Sequence, residues 1–226
     1  MSHYGQQLSF ESEDSAMVIA EILYTKAEQK NDLFGINEAI NLKGRLLQKK
    51  HQYAQAISLH HKWMDEFNNT SDFYLSGLFF ERLHYIYYSM NESQLSLKYA
   101  LKTEGLFRLA GQTEKLSKLY QNIGVVYSQL DDYANSKLYL KKSINELQNT
   151  SNKRWVGFGY ARIAYVCSIY DDLDSALFYI DQAIGVFENI DEDYGRGYSY
   201  YSKGGYLHKN NNFDEALIYH QKGISM

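Results

Sequence analysis

The stretch Lys115–Thr150, KLSKLYQNIGVVYSQLDDYANSKLYLKKSINELQNT, decides the fold. In its first half Leu116, Leu119, Tyr120, Ile123 and Tyr127 recur at steps of three and four residues, which draws one apolar stripe along a helix. Asp131 and Asp132 interrupt the pattern with residues that favour turns and helix N-termini. A second stripe follows in Tyr133, Leu138, Leu140, Ile144 and Leu147, and the polar run Asn149–Asn152 closes the unit. The stretch therefore reads as a helical hairpin with a tight turn. Gly124 and Ser136 lie similar distances from that turn, so two small residues let the antiparallel helices approach while Tyr133 fills the wedge. A leucine at either position is expected to overpack the contact, at about 1–3 kcal/mol.

The same hairpin returns along the chain. Ala16, Ala56, Ser96, Ser136, Ala176 and Ala216 stand 40 residues apart, and Gly44, His84, Gly124, Ala164 and Gly204 precede the last five of them by 12. The aromatic or apolar position between them holds Tyr53, Ser93, Tyr133, Leu173 and Phe213. A fixed period of this length means a solenoid, in which each unit packs on its neighbours. His84 breaks the small-residue rule, so a wider or more irregular hairpin is expected there.

These residues resemble the tetratricopeptide repeat family over nearly the whole chain. An aromatic or apolar residue opens the first helix (Ile40, Phe80, Tyr120, Tyr160, Tyr200), a Leu-Gly-like pair follows at Ile123-Gly124 and Ile163-Ala164, and Tyr87 and Tyr127 match the next position. Leu47, Cys167 and Leu207 replace that tyrosine elsewhere, the late alanine is kept only at Ala183, and the closing proline is absent because the chain has no proline. The commonest unit of the family has about 34 residues, and the surplus here is expected to lengthen the second helix and the loop after it. Long repeats of this kind resemble those of bacterial signalling regulators and some eukaryotic scaffolds.

The implied architecture is all-α: a right-handed superhelical solenoid of antiparallel helix pairs, with five hairpins and an N-terminal capping helix. Helices are expected near 14–30, then 36–50 with 53–67, 73–89 with 93–109, 114–130 with 133–149, 154–170 with 173–189, and 194–210 with 213–226. Residues 1–13 are expected to be a flexible N-terminus and 14–226 a single domain, truncated at its C-terminus. Leu217 and Ile224 then lie on an uncapped last repeat, where a further segment or a second copy of the chain could cover them.

Composition narrows the function. The net charge is −4 with both signs mixed along the chain, so no basic stripe points to nucleic acid. The single cysteine, Cys167, excludes an internal disulfide framework and fits a reducing compartment. No signal peptide is visible at Met1–Phe10 and no uninterrupted apolar run is long enough for a membrane span, so a cytoplasmic protein is expected.

Catalytic chemistry is not visible. Asp131-Asp132 and Asp171-Asp172 could be carboxylate pairs, but His51-Gln52, Asn91-Glu92 and Asn211-Asn212 fill the same slots, which makes all of them turn residues. His60 and His61 diverge on adjacent helix positions with no third ligand, so no metal is expected. Gly157-Phe158-Gly159 and Gly195-Arg196-Gly197 complete no phosphate-binding fingerprint and read as packing glycines. Cys167 sits in a core slot. No cofactor and no enzymatic activity are implied.

A partner-binding groove is the better reading. In the family, the first helix of each pair lines the concave face, and extended peptides or partner helices bind there. Residues offset from the apolar stripe give Asn41, Arg45, Glu81, Tyr85, Tyr88, Gln121, Arg162, Tyr165, Tyr198, Tyr201 and His208 as the expected groove. Tyr and Arg dominate binding hot spots. The chain is thus expected to be a non-catalytic scaffold for a protein or peptide, in a bacterial signalling or regulatory setting. The alternative is a sensory or oligomerising module of a larger regulator, such as a cyclase, kinase or transcription factor.

Overall fold

The computed structural model describes residues 13–147 and 152–226. The expected flexible segment lies outside these residues except for Glu13, which opens the first helix. Every regular element among the described residues is an α-helix. In chain order they are α1 (Glu13–Gln29), α2 (Leu33–Lys49), α3 (Tyr53–His61), α4 (Met64–Asn69), α5 (Phe73–Ser89), α6 (Ser93–Leu109), α7 (Thr113–Gln129), α8 (Tyr133–Leu147), α9 (Lys153–Ile169), α10 (Leu173–Asn189), α11 (Asp193–Lys209) and α12 (Phe213–Ile224). Two compact units partition the chain, Met1–Ala110 and Gly111–Met226.

The chain is punctuated every 20 residues. Eight of the helices have 17 residues, and a three-residue link joins most of them. The middle residue of the link takes a left-handed backbone: Asn31, His51, Asn91, Asp131, Asp171, Asp191 and Asn211 have φ between 50° and 61°, and Gly111 has φ 65°. Asn, Asp and His are the non-glycine residues that tolerate this region best. The next amide closes a Schellman bond to the helix just ended, as in Asp132 N–H to Tyr127 O at 2.9 Å and Asp172 N–H to Cys167 O at 2.9 Å. At Asp32, Asp132 and Asp172 that same residue then caps the next helix, its carboxylate accepting the amide of Gly35, Asn135 or Ser175 at 3.0–3.2 Å, and Asp72, whose own amide donates to Thr70 Oγ1, caps the Leu75 amide at 2.9 Å. The surplus over the common repeat therefore falls on both helices and both turns, and not on the second helix and its loop alone. Asp131-Asp132 and Asp171-Asp172 are turn and cap.

In the first unit α1 packs on α2, α2 on α3 and α5, and α5 on α6. The helix expected over 53–67 is interrupted at Lys62-Trp63, where Trp63 is buried and its Nε1 donates to Tyr24 Oη at 2.9 Å. The irregular hairpin is therefore this one. The hairpin holding His84 has two unbroken helices, and Ser96 Oγ reaches His84 O at 3.4 Å, against 2.7 Å for Ser136 Oγ to Gly124 O. In the second unit α7 pairs with α8, α9 with α10 and α11 with α12, with α8 on α9 and α10 on α11.

Two devices fill the hairpins. Phe107 and Phe187 are fully buried plugs against glycines: a Cβ on Gly77 would lie 2.5 Å from Phe107, and a Cβ on Gly157 would lie 2.7 Å from Phe187. Gly195 meets Phe187 from α11, so both glycine pairs noted in the sequence serve close packing. Across four of the five hairpins an aromatic residue of the first helix faces a tyrosine of the second: Phe80–Tyr99, Tyr120–Tyr139, Tyr160–Tyr179 and Tyr200–Tyr219, with centroids 5.8–6.3 Å apart. A lysine three residues after the tyrosine covers three of these pairs, with Nζ of Lys102, Lys142 and Lys222 at 3.9–5.0 Å from the nearer ring. Leu138, assigned to the buried stripe by spacing, is 49% exposed because that stripe runs through Ser136, Leu140, Ser143, Ile144 and Leu147.

Candidate functional site

The first helices α2, α5, α7, α9 and α11 carry the residues expected to line a groove. In the first unit Arg45 is exposed, Asn41, Glu81, Tyr85 and Tyr88 are half-buried, and Asn41 Oδ1 accepts from Arg82 Nε at 3.2 Å. Tyr85 lies against Arg82 and His84, and Tyr88 lies 6.3 Å from His84. Burial among these groups pushes Arg82 below its ordinary range, with the neighbouring Arg45 charge acting in the same direction. His84 is buried, and its Nδ1 stands 2.9 Å from Ser96 Oγ. Burial holds it at a pKa of about 4, as it does His60 beside Ala56 O. Both imidazoles are therefore neutral at pH 7.

In the second unit Gln121 departs from the exposed set. It is buried, and its Nε2 donates to Ser143 Oγ and to Trp155 O at 3.2 Å each, tying α7 to α8 and α9. Tyr201 rests against His220 of α12, with centroids 4.9 Å apart, and His208 meets Phe213 edge-on. Arg162, Tyr165, Tyr198 and Tyr201 all remain open on α9 and α11, with the three tyrosines 50%, 45% and 57% exposed. Tyr206 lies beneath them, driven far above its ordinary range by burial and then by the neighbouring Tyr198 and Tyr165 hydroxyls. Lys209 Nζ, bonded to Ser168 O at 2.6 Å and paired with Asp171, clamps α11 to the end of α9. Arg162 makes no ion pair among the described residues, whereas Arg154 is paired with Glu192 and Arg196 with Asp193.

Among the described residues no group of three His, Cys, Asp or Glu side chains could hold a metal ion. No helix among them is long and apolar enough to cross a membrane. Cys167 is buried and its thiol pushed up by desolvation, with Tyr133 Oη 3.4 Å away.

No family model matches the sequence, and no curated protein does either. Solved structures match the backbone. BtubC (BKLC) from P. vanneervenii superposes with a TM-score of 0.84 at 14% identity, over 96% of this chain and 91% of that one. A signal transduction ATPase with numerous domains and a tetratricopeptide repeat sensor, from Pyrococcus horikoshii, matches at 0.74 and 18% identity, over 92% of this chain and 34% of that one. The fold is tetratricopeptide-like. Aspartyl phosphate phosphatase F from Bacillus subtilis shares it at a TM-score of 0.76 and 18% identity, over 92% of this chain and 54% of that one. This chain thus spans about half of the phosphatase and a third of the ATPase. A tetratricopeptide-like chain with a period of 40 in place of 34 keeps the hairpin and enlarges both helices.

Proposed function

We propose that the chain is a non-catalytic binding scaffold that takes a protein or peptide segment on its first-helix face, as a signalling or regulatory adaptor in the cytoplasm. The observation that carries this reading is Arg162, a cation with no ion-pair partner among the described residues, on the same face as the exposed tyrosines Tyr165 and Tyr198. Tyrosine and arginine supply contact area and directional hydrogen bonds at low entropic cost, which is why they dominate hot spots. Tyr85, Tyr88, Asn41 and Glu81, half-buried, with the exposed Arg45, form the corresponding set of the first unit. Self-association through α12, where Leu217, Ile218 and Ile224 are 51–77% exposed, belongs to the same reading.

The test compares wild type with the triple variant Arg162→Ala, Tyr165→Ala and Tyr198→Ala in affinity capture read by mass spectrometry. A partner retained by wild type and lost by a variant of unchanged helical signal and melting point supports the reading. Equal capture by a folded variant sinks it. A second reading, a sensory module of a larger regulator, is favoured by the match to one third of an ATPase that carries a tetratricopeptide repeat sensor.

A further inference from the structure

Helix α1 is held differently from the other helices. It meets the rest of the first unit through Ala16, Ala20, Tyr24 and Ala27, a buried face that is three-quarters alanine. Alanines bury little apolar surface. Charge supplies what that face lacks. Asp14, Glu21 and Glu28, seven residues apart and so on one side of the helix, pair with Lys50, Lys43 and Lys62. Lys43 and Lys50 lie on α2, and Lys62 follows α3. The slot of Lys43 is filled by Leu83, Ile123 and Ile163 in the next three units, all fully buried, and by Lys203 in the last, which pairs with Asp181 as Lys43 pairs with Glu21, so a lysine in this slot exchanges core packing for an ion pair. Tyr24 completes the seam, its hydroxyl accepting from Lys62 Nζ and Trp63 Nε1 at 2.9 Å each.

The seam is not sealed. A cleft of about 890 Å³ opens along it, lined by Met17, Glu21, Lys43, Leu59 and Lys62 among others. Asp14 and Glu21 are 90% and 58% exposed, so water and salt compete for these pairs. Elsewhere on α1, Val18, Ile22 and Leu23 are 46–59% exposed. Only Lys30, Asn31 and Asp32 join α1 to α2, and Asn31 sits at φ 50°.

We propose that α1 is an exchangeable helix, and that a second copy of this chain occupies the lysine-lined face of α2 and α3 by trading α1 with the first. The face selects a helix with an acid at every seventh position and alanines between, and the chain itself carries that helix. All three ion pairs and the alanine contacts are rebuilt between copies, and only the short link changes. A short link between two helices favours such exchange.

Two full-length variants test the exchange. One carries Asp14→Lys, Glu21→Lys and Glu28→Lys, and the other carries Lys43→Glu, Lys50→Glu and Lys62→Glu. Each alone repels its own α1, so it sediments as a monomer whose α1 amides exchange hydrogen about tenfold faster than wild type. Mixed in equal amounts they form a heterodimer with α1 protection restored. Wild type forms a dimer whose share rises with concentration and falls with added salt. Should Lys43→Glu unfold the first unit, the pair Asp14→Lys, Glu28→Lys against Lys50→Glu, Lys62→Glu keeps the same contrast. A mixture that stays monomeric, α1 protection that persists in the separate variants, or a wild type that is monomeric at every concentration overturns the proposal.

Discussion

Gly124 and Leu140 share one space: a Cβ on the glycine would lie 2.7 Å from the leucine Cγ. The same exchange of volume recurs in two other hairpins, where Gly44 faces His60 with a would-be Cβ at 3.1 Å and Gly204 faces His220 at 2.8 Å. In the hairpin whose first helix carries His84, the equivalent position of the second helix is Ala100, and the intermediate case is Ala164 with Ile180. Large and small alternate sides while the sum is kept, which close-packed interiors demand. Gly124→Leu is therefore expected to cost about 1–3 kcal/mol. Leu140→Ala in the same chain should return part of that loss, and urea unfolding of the single and double variants measures the coupling.

Acid should weaken the first unit. His60 and His84 are held neutral at a pKa of about 4, below the 6.5 of a free histidine. Above pH 6.5 both folded and unfolded chains carry them neutral, so stability does not depend on these groups. Between pH 6.5 and 4 the unfolded chain binds protons that the folded chain refuses, and stability falls by about 1.4 kcal/mol per pH unit for each histidine. Denaturant titrations from pH 7.5 to 4.5 should show this slope. His84→Asn should remove about half of it.

The left-handed links make opposite predictions for two substitutions at one site. Asp131 sits at φ 58°, so Asp131→Gly should be neutral or mildly stabilising, whereas Asp131→Val should cost about 1–2 kcal/mol. Asp132→Ala removes the acceptor for the Asn135 amide and should cost about 1 kcal/mol. Thermal melts of the three variants rank these effects.

Tyrosines of the first-helix face should separate by unit. Tyr85→Ala with Tyr88→Ala strips packing from His84 and Arg82, and should lower the stability of the first unit by about 1–2 kcal/mol. Tyr198→Ala, half-exposed on α11, should change stability by less than about 0.5 kcal/mol. Unfolding followed by circular dichroism distinguishes them.

Most of the helices were legible from spacing alone; those over 73–89, 93–109 and 173–189 end where the apolar periodicity stops. Turn chemistry was legible too, because Asn and Asp recur in the slots that need a left-handed residue. The pairing of Gly124 with Leu140 was not, since only the heights of two equal antiparallel helices reveal which residues meet. Nor was the role of Tyr99, Tyr139, Tyr179 and Tyr219: their 40-residue spacing is written in the chain, but a tyrosine in a repeat can face a partner or a neighbouring ring. Gln121 shows the same limit at the candidate face. Its spacing fits an exposed row, yet Trp155 of the following hairpin supplies a carbonyl that draws the amide inward. Burial there is decided by the next repeat, which local periodicity does not contain.

The uniform 20-residue beat has an evolutionary corollary. A recombination event that adds or removes 40 residues keeps the left-handed residues on their 20-residue spacing. An insertion of 34 residues, the commoner length of this repeat, would throw all of them out of step. Copying its own units is the lengthening that preserves this phase.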